Sequence, residues 1–94
     1  MIATQIREHI ELFDSFEQVY LFGSALNFST TYNDIDILII YKEYSSEIGK
    51  QLKVIAEELG KACGSFIDLT ALSVEEEKDI EFLKKLKSHY LQLK

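Results

Sequence analysis

The pattern of apolar and polar positions along the chain predicts alternating helices and strands. Apolar residues recur at intervals of three or four in the segments predicted as helices: residues 4–13, 45–62 and 73–91. Strand-forming residues cluster in the segments predicted as strands: residues 18–22, 35–41 and 65–72. The run from Ile37 to Ile40 is apolar without alternation, which is typical of a strand covered on both faces. Residues 24–26 are predicted as a short helix and residues 27–33 as a loop.

Capping signals mark the ends of the predicted helices. Ser45 or Ser46 can cap the second helix, and Gly64 is expected to end it. Ser73 and Glu76 form a capping box at the start of the third helix. The inner face of that helix would carry the apolar residues Ile80, Leu83, Leu86 and Tyr90. The order of these segments predicts an α+β fold, with a three-stranded mixed sheet and helices mainly on one side.

The composition supports one small domain, predicted over residues 1–94. Of the 94 residues, 47% are hydrophobic, which is enough for one core. The formal net charge is −6, from 16 acidic and 10 basic residues, so bare electrostatic binding of nucleic acid is not expected. The single cysteine excludes an internal disulfide and a multi-cysteine metal site. No apolar run reaches membrane-spanning length and no signal-like pattern follows Met1, which predicts a cytoplasmic protein without a membrane partner.

Two carboxylates, one residue apart, stand at the start of the second predicted strand. Side chains alternate along a strand, so Asp34 and Asp36 should point the same way and repel each other. A divalent cation would relieve this repulsion, and hard cations such as Mg²⁺ prefer carboxylate oxygens. Asp68 lies within the third predicted strand, between Ile67 and Leu69, where a lone charge would be costly. If that strand pairs beside the second, the three acids would form a cradle for two metal ions, which can stabilise an in-line phosphoryl displacement.

A Gly-Ser pair follows the first predicted strand. Gly23 lacks a Cβ, so the backbone could approach a ligand closely at this turn. Ser24 would offer a hydroxyl and an N–H at the start of the short helix, and a helix N-terminus favours phosphate. Simpler interpretations remain open, with Ser24 as a helix cap only and Asp68 as a structural acid bonded to backbone.

These features together resemble the minimal nucleotidyltransferase pattern of the DNA polymerase β superfamily. The resemblance is carried by FGSALNFSTTYNDIDILIIY, residues 22–41, and FIDLTAL, residues 66–72. These segments hold Gly-Ser after a strand, a spacer, Asp-x-Asp entering a strand, and a third acid on a later strand. Asp-x-Asp alone is a weak signal, whereas the full set is far more specific.

The resemblance implies a role for each residue of the site. Gly23 and Ser24 would contact the phosphates of a nucleotide. Asp34 and Asp36 would bind two Mg²⁺ or Mn²⁺ ions. Asp68 would bind the catalytic ion and activate the attacking hydroxyl. The implied reaction moves a nucleoside monophosphate from a nucleoside triphosphate, with ATP as the expected donor, to a hydroxyl acceptor.

The acceptor is expected on another molecule, because a chain of this length leaves no room for an acceptor-binding domain. It would come from a partner protein or from a second copy of the chain in a homo-oligomer. Similar minimal transferases act as antitoxins that nucleotidylate small helical HEPN-type toxins, so the resemblance implies a partner of that type.

One stretch departs from the resemblance. Many small members carry Ala-Arg-Gly after the serine, whereas this chain has Ala25-Leu26-Asn27-Phe28 and no basic residue from Ser24 to Asp36. Phosphate binding would then depend on the metal ions, the Ser24 turn and a more distant lysine. The lysines considered are Lys42 and Lys50.

This departure leaves a second function open. The chain could be a catalytically weak or inactive binding module that neutralises or scaffolds a partner by contact. Its docking surface would use apolar residues of the C-terminal segment: Phe82, Leu86, Leu91 and Leu93. A third alternative is a metal-stabilised fold without activity.

Overall fold

Four strands and four α-helices make up the part of the chain that the computed structural model describes, residues 2–23 and 34–94. The strands are β1 Gln18–Phe22, β2 Asp34–Tyr41, β3 Phe66–Ser73 and β4 Tyr90–Gln92. They form one mixed sheet in the order β3-β2-β1-β4. β2 and β3 are parallel, whereas β1 pairs antiparallel with both β2 and β4. The helices are α1 Ile2–Arg7, α2 Ser46–Cys63, α3 Val74–Ile80 and α4 Phe82–Lys85, with a 3-10 helix at Ile10–Phe13.

The larger core fills one face of the sheet. β2 contributes Ile35, Ile37 and Ile39, which are fully buried. α2 covers them with Ile55 and Leu59, which are also fully buried, and α1 and the 3-10 helix complete this layer. Burying an aliphatic side chain contributes about 1.5–3 kcal/mol relative to leaving it exposed, so this face supplies most of the stability of the fold.

A smaller cluster covers part of the opposite face. Tyr20 and Leu38 are buried there. The ring of Phe82 in α4 lies 5.5 Å from that of Phe22 at the end of β1, in an edge-to-face arrangement. Tyr90 at the start of β4 makes a similar contact with Tyr20, with ring centroids 5.3 Å apart. Helices therefore lie mainly on the side of the larger core, as predicted, and the short α4 covers part of the other side.

The third predicted helix, residues 73–91, is wrong in its second half. α3 ends early, and Glu81 (φ 55°), Lys87 (φ 52°) and Ser88 (φ 70°) adopt left-handed backbone conformations through which a helix cannot continue. β4 follows instead, so the sheet has four strands and not the predicted three. The apolar spacing of this segment fits a helix, but pairing with the open edge of β1 satisfies its backbone groups and buries its apolar residues on both faces.

The first predicted helix, residues 4–13, is divided in two. α1 ends at Arg7, and the 3-10 helix begins at Ile10. Bonds of the 3-10 type, such as that from the N–H of His9 to the carbonyl of Ile6 at 2.9 Å, tighten the chain between them. The short helix and the loop predicted over residues 24–33 lie outside the described residues. Among the residues that are described, no helix is both long and apolar enough to cross a membrane.

The predicted helix caps are confirmed. Ser45 Oγ accepts a hydrogen bond from the N–H of Ile48 at 3.3 Å, and Gly64, with φ 66°, ends α2. At the start of α3, Ser73 Oγ accepts from the N–H of Glu76 at 3.0 Å. In return, Glu76 Oε1 accepts from the N–H of Ser73 at 2.9 Å. This reciprocal pair joins the end of β3 to α3.

Glu76→Gln is expected to lower the thermal midpoint of unfolding by a few degrees at pH 7. The backbone N–H and the side chain of Ser73, and then the hydroxyl of Tyr41, hold the pKa of Glu76 below its ordinary value of 4.5. The ionised group therefore contributes stability above pH 4.5 that is lost as the pH falls through the folded-state pKa. The difference between the two proteins should disappear in acid. Glu75→Gln in the same helical turn is the control, and an equal loss in that variant would assign the effect to the helix dipole alone.

Candidate functional site

Three carboxylates meet where β2 and β3 begin. Asp36 and Asp68 are register partners in the parallel pair of strands. Asp34 precedes Asp36 by two residues and so lies on the same face. One oxygen from each of the three carboxylates lies within 4.8 Å of the others. The structure therefore brings together the three acids that the sequence singled out, although the whole of α2 separates Asp68 from the pair along the chain.

Burial in the larger core sets the direction of these side chains. Ile35 and Ile37 alternate with the acids along β2 and are fully buried. A shift of β2 by one residue would turn these isoleucines outward and bury two charges without partners, which is prohibitive. On β3, Ile67 is buried on the same side as the isoleucines, so Asp68 shares the open face with Asp34 and Asp36.

The acids continue a row of side chains that crosses the sheet. Tyr90 of β4 pairs with Phe22 of β1, and Phe22 pairs with Asp36. Asp68 follows on β3, the edge strand of the sheet among the described residues. Asp34 and Asp36 are half-buried and Asp68 is exposed. The site is therefore walled by aromatic rings on the β1 side and open on the β3 side.

Phe66 is a further neighbour of the acids and was not among the site residues predicted from the sequence. It is the register partner of Asp34, and it is 69% exposed. Core packing does not explain an exposed phenylalanine on an edge strand beside three acids. The sequence does carry the signal, because Phe66 precedes Asp68 by two residues in a strand and so shares its face.

Crowding disfavours the charged form of the triad. Burial raises the pKa of Asp36 above its ordinary value of 3.8, and the charges of Asp34 and Asp68 raise it further, as does a hydrogen bond shared with Asp68. A cation between the carboxylates would offset both the burial and the repulsion. Carboxylate oxygens are also the donors that hard divalent cations prefer. The triad could therefore hold a metal ion.

Asp36→Asn is expected to stabilise the metal-free protein. The substitution keeps the shape of the side chain and removes one of three crowded like charges, an effect on the order of 1 kcal/mol for cross-strand neighbours. The thermal midpoint in EDTA at pH 7 should rise. In millimolar Mg²⁺ or Mn²⁺ the order of the two proteins should reverse, because the native triad gains more from binding.

The control for this measurement is Asp79→Asn, which removes one exposed carboxylate from α3. Its midpoint should match that of the native protein in both buffers. A native midpoint above that of Asp36→Asn in EDTA would contradict the repulsion between the three acids.

Gly23 lies at the end of β1, where the structure leaves no room for a Cβ. Its φ is 79°, a conformation that other residues rarely adopt. A Cβ at this position would overlap Oδ2 of Asp36 and lie 3.1 Å from its Cγ. The sequence predicted a close approach to a ligand here, and the structure shows a close approach to the Asp36 side chain. Ser24, the predicted phosphate contact, lies outside the described residues.

The two lysines considered for phosphate binding are far from the triad. Lys42 follows the distal end of β2, about 20 Å from Asp36 at the usual rise per strand residue. Lys50 lies on α2, which packs on the opposite face of the sheet. Neither lysine can therefore supply the positive charge that the Gly-Ser segment lacks.

The comparison with protein families gives a match over nearly the whole chain. The family described as polymerase beta, nucleotidyltransferase matches residues 4–90. The chain belongs to this nucleotidyltransferase family. The matched residues include the Gly-Ser pair and the three acids, so the resemblance drawn from the sequence is confirmed. The search of curated proteins gives no significant match to this chain.

Solved structures share the nucleotidyltransferase fold. The complex of a tri-AMPylated Shewanella oneidensis HEPN toxin with MNT antitoxin contains a chain that is 22% identical, with a TM-score of 0.61 over 100% of this chain and 72% of that one. A toxin–antitoxin complex with AMP-PNP gives 21% identity and a TM-score of 0.65 over 98% of this chain and 72% of that one. A Sulfolobus solfataricus protein described as a candidate nucleotidyltransferase gives 20% identity and a TM-score of 0.56, with coverages of 97% and 78%. At these identities the similarity establishes the fold.

Proposed function

We propose that this protein transfers AMP from ATP to a hydroxyl group on a partner protein, using Asp34, Asp36 and Asp68 with Mg²⁺ or Mn²⁺. The observation that carries the proposal is the convergence of the three carboxylates, with oxygens within 4.8 Å of one another, in a member of the nucleotidyltransferase family. A structural acid cluster would be costly without a cation, because burial and repulsion both act against its charge.

Each acid has a role that fits its position. Asp34 and Asp36, half-buried on β2, would hold the divalent ions, which when bound supply charge stabilisation to the reacting phosphate. Asp68, exposed on the edge strand, would orient the acceptor hydroxyl and take its proton. A bond forms between the acceptor oxygen and the α-phosphorus, the bond to the bridging oxygen of the β-phosphate breaks, and pyrophosphate leaves. Gly23 would keep the end of β1 close to Asp36.

The donor and the partner are proposed from the proteins that share the fold. One of them is an MNT antitoxin in complex with a tri-AMPylated HEPN toxin, and another complex contains AMP-PNP. We propose by analogy that ATP is the donor and that a small helical HEPN-type protein is the acceptor. A single domain over residues 1–94, a homo-oligomer as the source of the acceptor site, phosphate binding by Ser24 and a cytoplasmic location stay predictions.

The experiment that tests the function is transfer of label from ATP carrying a labelled α-phosphate. The acceptor tested is the product of the adjacent gene, incubated with native protein and Mg²⁺ or Mn²⁺. The native protein should label the acceptor, and Asp34→Asn/Asp36→Asn should not. Asp79→Asn is the matched control and should label at the native rate. No labelling by the native protein, or equal labelling by the double variant, would reject the enzymatic function.

A contact-based function is the second candidate, and the missing basic residue between Ser24 and Asp36 is the observation that favours it. The docking surface suggested by the sequence needs correction. Leu86 is half-buried, as are the other three residues of that surface. Phe82 packs against the smaller cluster, and Leu91 and Leu93 pack against the larger core, so the fold already uses part of each of these three side chains. Neutralisation of the partner that survives loss of all three acids would establish contact and not chemistry as the mechanism.

A further inference from the structure

The proposed reaction leaves negative charge at the site to be balanced, and the inference that follows rests on that proposed function. Three carboxylates and the triphosphate of ATP carry about seven negative charges, and two divalent ions supply about four positive ones. No basic residue lies between Ser24 and Asp36 to supply the rest. Cationic side chains from another part of the chain would balance this charge.

Most of the ten basic residues lie away from the triad. Lys50 and Lys53 lie in the first half of α2, on the opposite face of the sheet. Lys61, near the end of α2, lines a pocket with Phe66 on the β3 side of the triad. Lys42 and Lys78 line a cavity of about 600 Å³ at the distal end of the sheet. Arg7 donates a hydrogen bond to the carbonyl group of Gln92 in β4, and Lys94 donates one to the carbonyl group of Phe13. None of these side chains lies on the β1 side of the triad, where the Gly-Ser segment begins.

The remaining lysines lie in residues 84–89, which are the last two residues of α4 and the segment that leads to β4. We name these residues the lysine turn. Its exposed lysines are Lys84, Lys85 and Lys87. β4 begins directly after the turn at Tyr90, the register partner of Phe22. The lysine turn therefore lies beside the end of β1, at the same end of the strands as the triad. The contact between the rings of Phe82 and Phe22, 5.5 Å apart, keeps α4 on the face that carries the acids.

The backbone of the lysine turn is unusual. Lys87 and Ser88 are consecutive residues other than glycine with positive φ, at 52° and 70°. Hydrogen bonds hold this conformation: the N–H of Lys87 donates to the carbonyl of Lys84 at 3.1 Å, and the N–H of His89 donates to the carbonyl of Leu86 at 2.9 Å. Such strained residues persist where the surrounding structure determines them, and they cluster at ligand-binding segments. The packing of the smaller core accounts for α4 and β4, but it does not account for the lysines between them.

We infer that Lys85 and Lys87 of the lysine turn bind the β- and γ-phosphates of ATP, in place of the basic residue that the Gly-Ser segment lacks. Lys84 is less available, because its Nζ lies 3.5 Å from a carboxylate oxygen of Glu81. β4 lies two strand spacings from β2, about 10 Å, and a lysine side chain together with a triphosphate spans this gap.

The two sides of the sheet would then have different tasks. In an in-line displacement the leaving group and the attacking hydroxyl lie on opposite sides of the phosphorus. Pyrophosphate would leave toward β1 and the lysine turn. The acceptor would approach over the open edge of β3, where Asp68 and the exposed Phe66 lie.

The test is the affinity of the full chain for Mg·ATP, measured by calorimetry. Lys85→Gln/Lys87→Gln is compared with Lys50→Gln/Lys53→Gln, which removes two charges from the first half of α2, on the opposite face. The lysine-turn variant should bind Mg·ATP at least tenfold more weakly than the native protein, and the α2 variant should bind within twofold of it. AMP, measured by competition, should bind equally to all three proteins because it lacks the β- and γ-phosphates. Thermal unfolding confirms that each variant is folded.

The outcomes separate this inference from the function on which it rests. If the native protein binds Mg·ATP and the two double variants have equal affinities for it, whether native or reduced, the role of the lysine turn is overturned. The enzymatic function is then left intact. An equal loss of AMP and ATP affinity in Lys85→Gln/Lys87→Gln would also overturn it, since the loss would then not arise at the outer phosphates. Absence of Mg·ATP binding by the native protein would overturn both.

Discussion

Asp68→Asn is expected to lower the rate of AMP transfer at saturating Mg·ATP by a factor of about 10²–10⁴, the usual contribution of a general base. Asp68 is the exposed member of the triad and lies on the edge strand, so it is the acid that an incoming hydroxyl meets. Asparagine keeps the shape of the side chain and can donate a hydrogen bond, but it cannot accept the proton of the acceptor.

The measurement is the initial rate of label transfer, with nucleotide affinity determined in parallel. Loss of rate with Mg·ATP affinity reduced less than tenfold would separate proton transfer from metal binding. Asp34→Asn should instead weaken metal and nucleotide binding together, because Asp34 lies on β2 with the half-buried Asp36. Native rates for Asp68→Asn would leave Asp68 as a structural acid, the simpler interpretation of its position in the strand.

Gly23→Ala is expected to destabilise the protein and also to weaken metal binding. The positive φ of Gly23, 79°, costs a residue with a Cβ about 1–2 kcal/mol. The added methyl group would also overlap the carboxylate of Asp36, so that carboxylate must move out of the triad. The thermal midpoint and the affinity for Mn²⁺ should therefore both fall.

Gly64→Ala is a matched control for this substitution. Gly64 has a similar positive φ, 66°, but a Cβ there would meet nothing within 4 Å. The Gly64→Ala protein should lose the same backbone contribution to stability and keep the native affinity for Mn²⁺. In an Asp36→Ala background, most of the excess cost of Gly23→Ala over Gly64→Ala should disappear, because the displaced carboxylate is gone and only the Cβ of residue 36, 3.3 Å from the added methyl group, remains. If the two glycine substitutions had equal effects on stability and on Mn²⁺ affinity in the native background, the contact with Asp36 would not explain why residue 23 is a glycine.

The sequence predicted the acid pair well because two independent signals agree along β2. The run of isoleucines and leucine requires burial on both faces, and the alternation of Ile35 and Ile37 with Asp34 and Asp36 leaves one direction for the carboxylates. Asp68 could be placed only on the condition that β3 lies next to β2. The parallel pairing of the two strands, with α2 as the crossover between them, meets that condition.

The C-terminal segment was predicted poorly because its apolar spacing fits two structures. Spacing of three and four residues through Leu83, Leu86 and Tyr90 is compatible with a continuous helix. Nothing local in the sequence shows that the edge of β1 is open and needs a partner strand. Lys87 and Ser88 adopt left-handed conformations. Neither is a glycine or an asparagine, so the sequence gives no signal that the helix ends there. Phe66 was not predicted as a site residue because aromatic residues are common in strands. Its unusual feature is its exposure, which depends on the tertiary structure.

The sequence by itself determined the family, the mixed α and β character, the caps of α2 and α3, and the acid pair Asp34 and Asp36, because each depends on local pattern or on spacing along one strand. Tertiary structure decided the rest. The fourth strand, the closeness of Gly23 to Asp36, the exclusion of Lys42 and Lys50 from the site, and the position of the lysine turn beside β1 all depend on which strands pair and which face each helix covers. Those choices are set by competition between distant segments for the same sheet edges and the same core, and no short stretch of sequence carries that information.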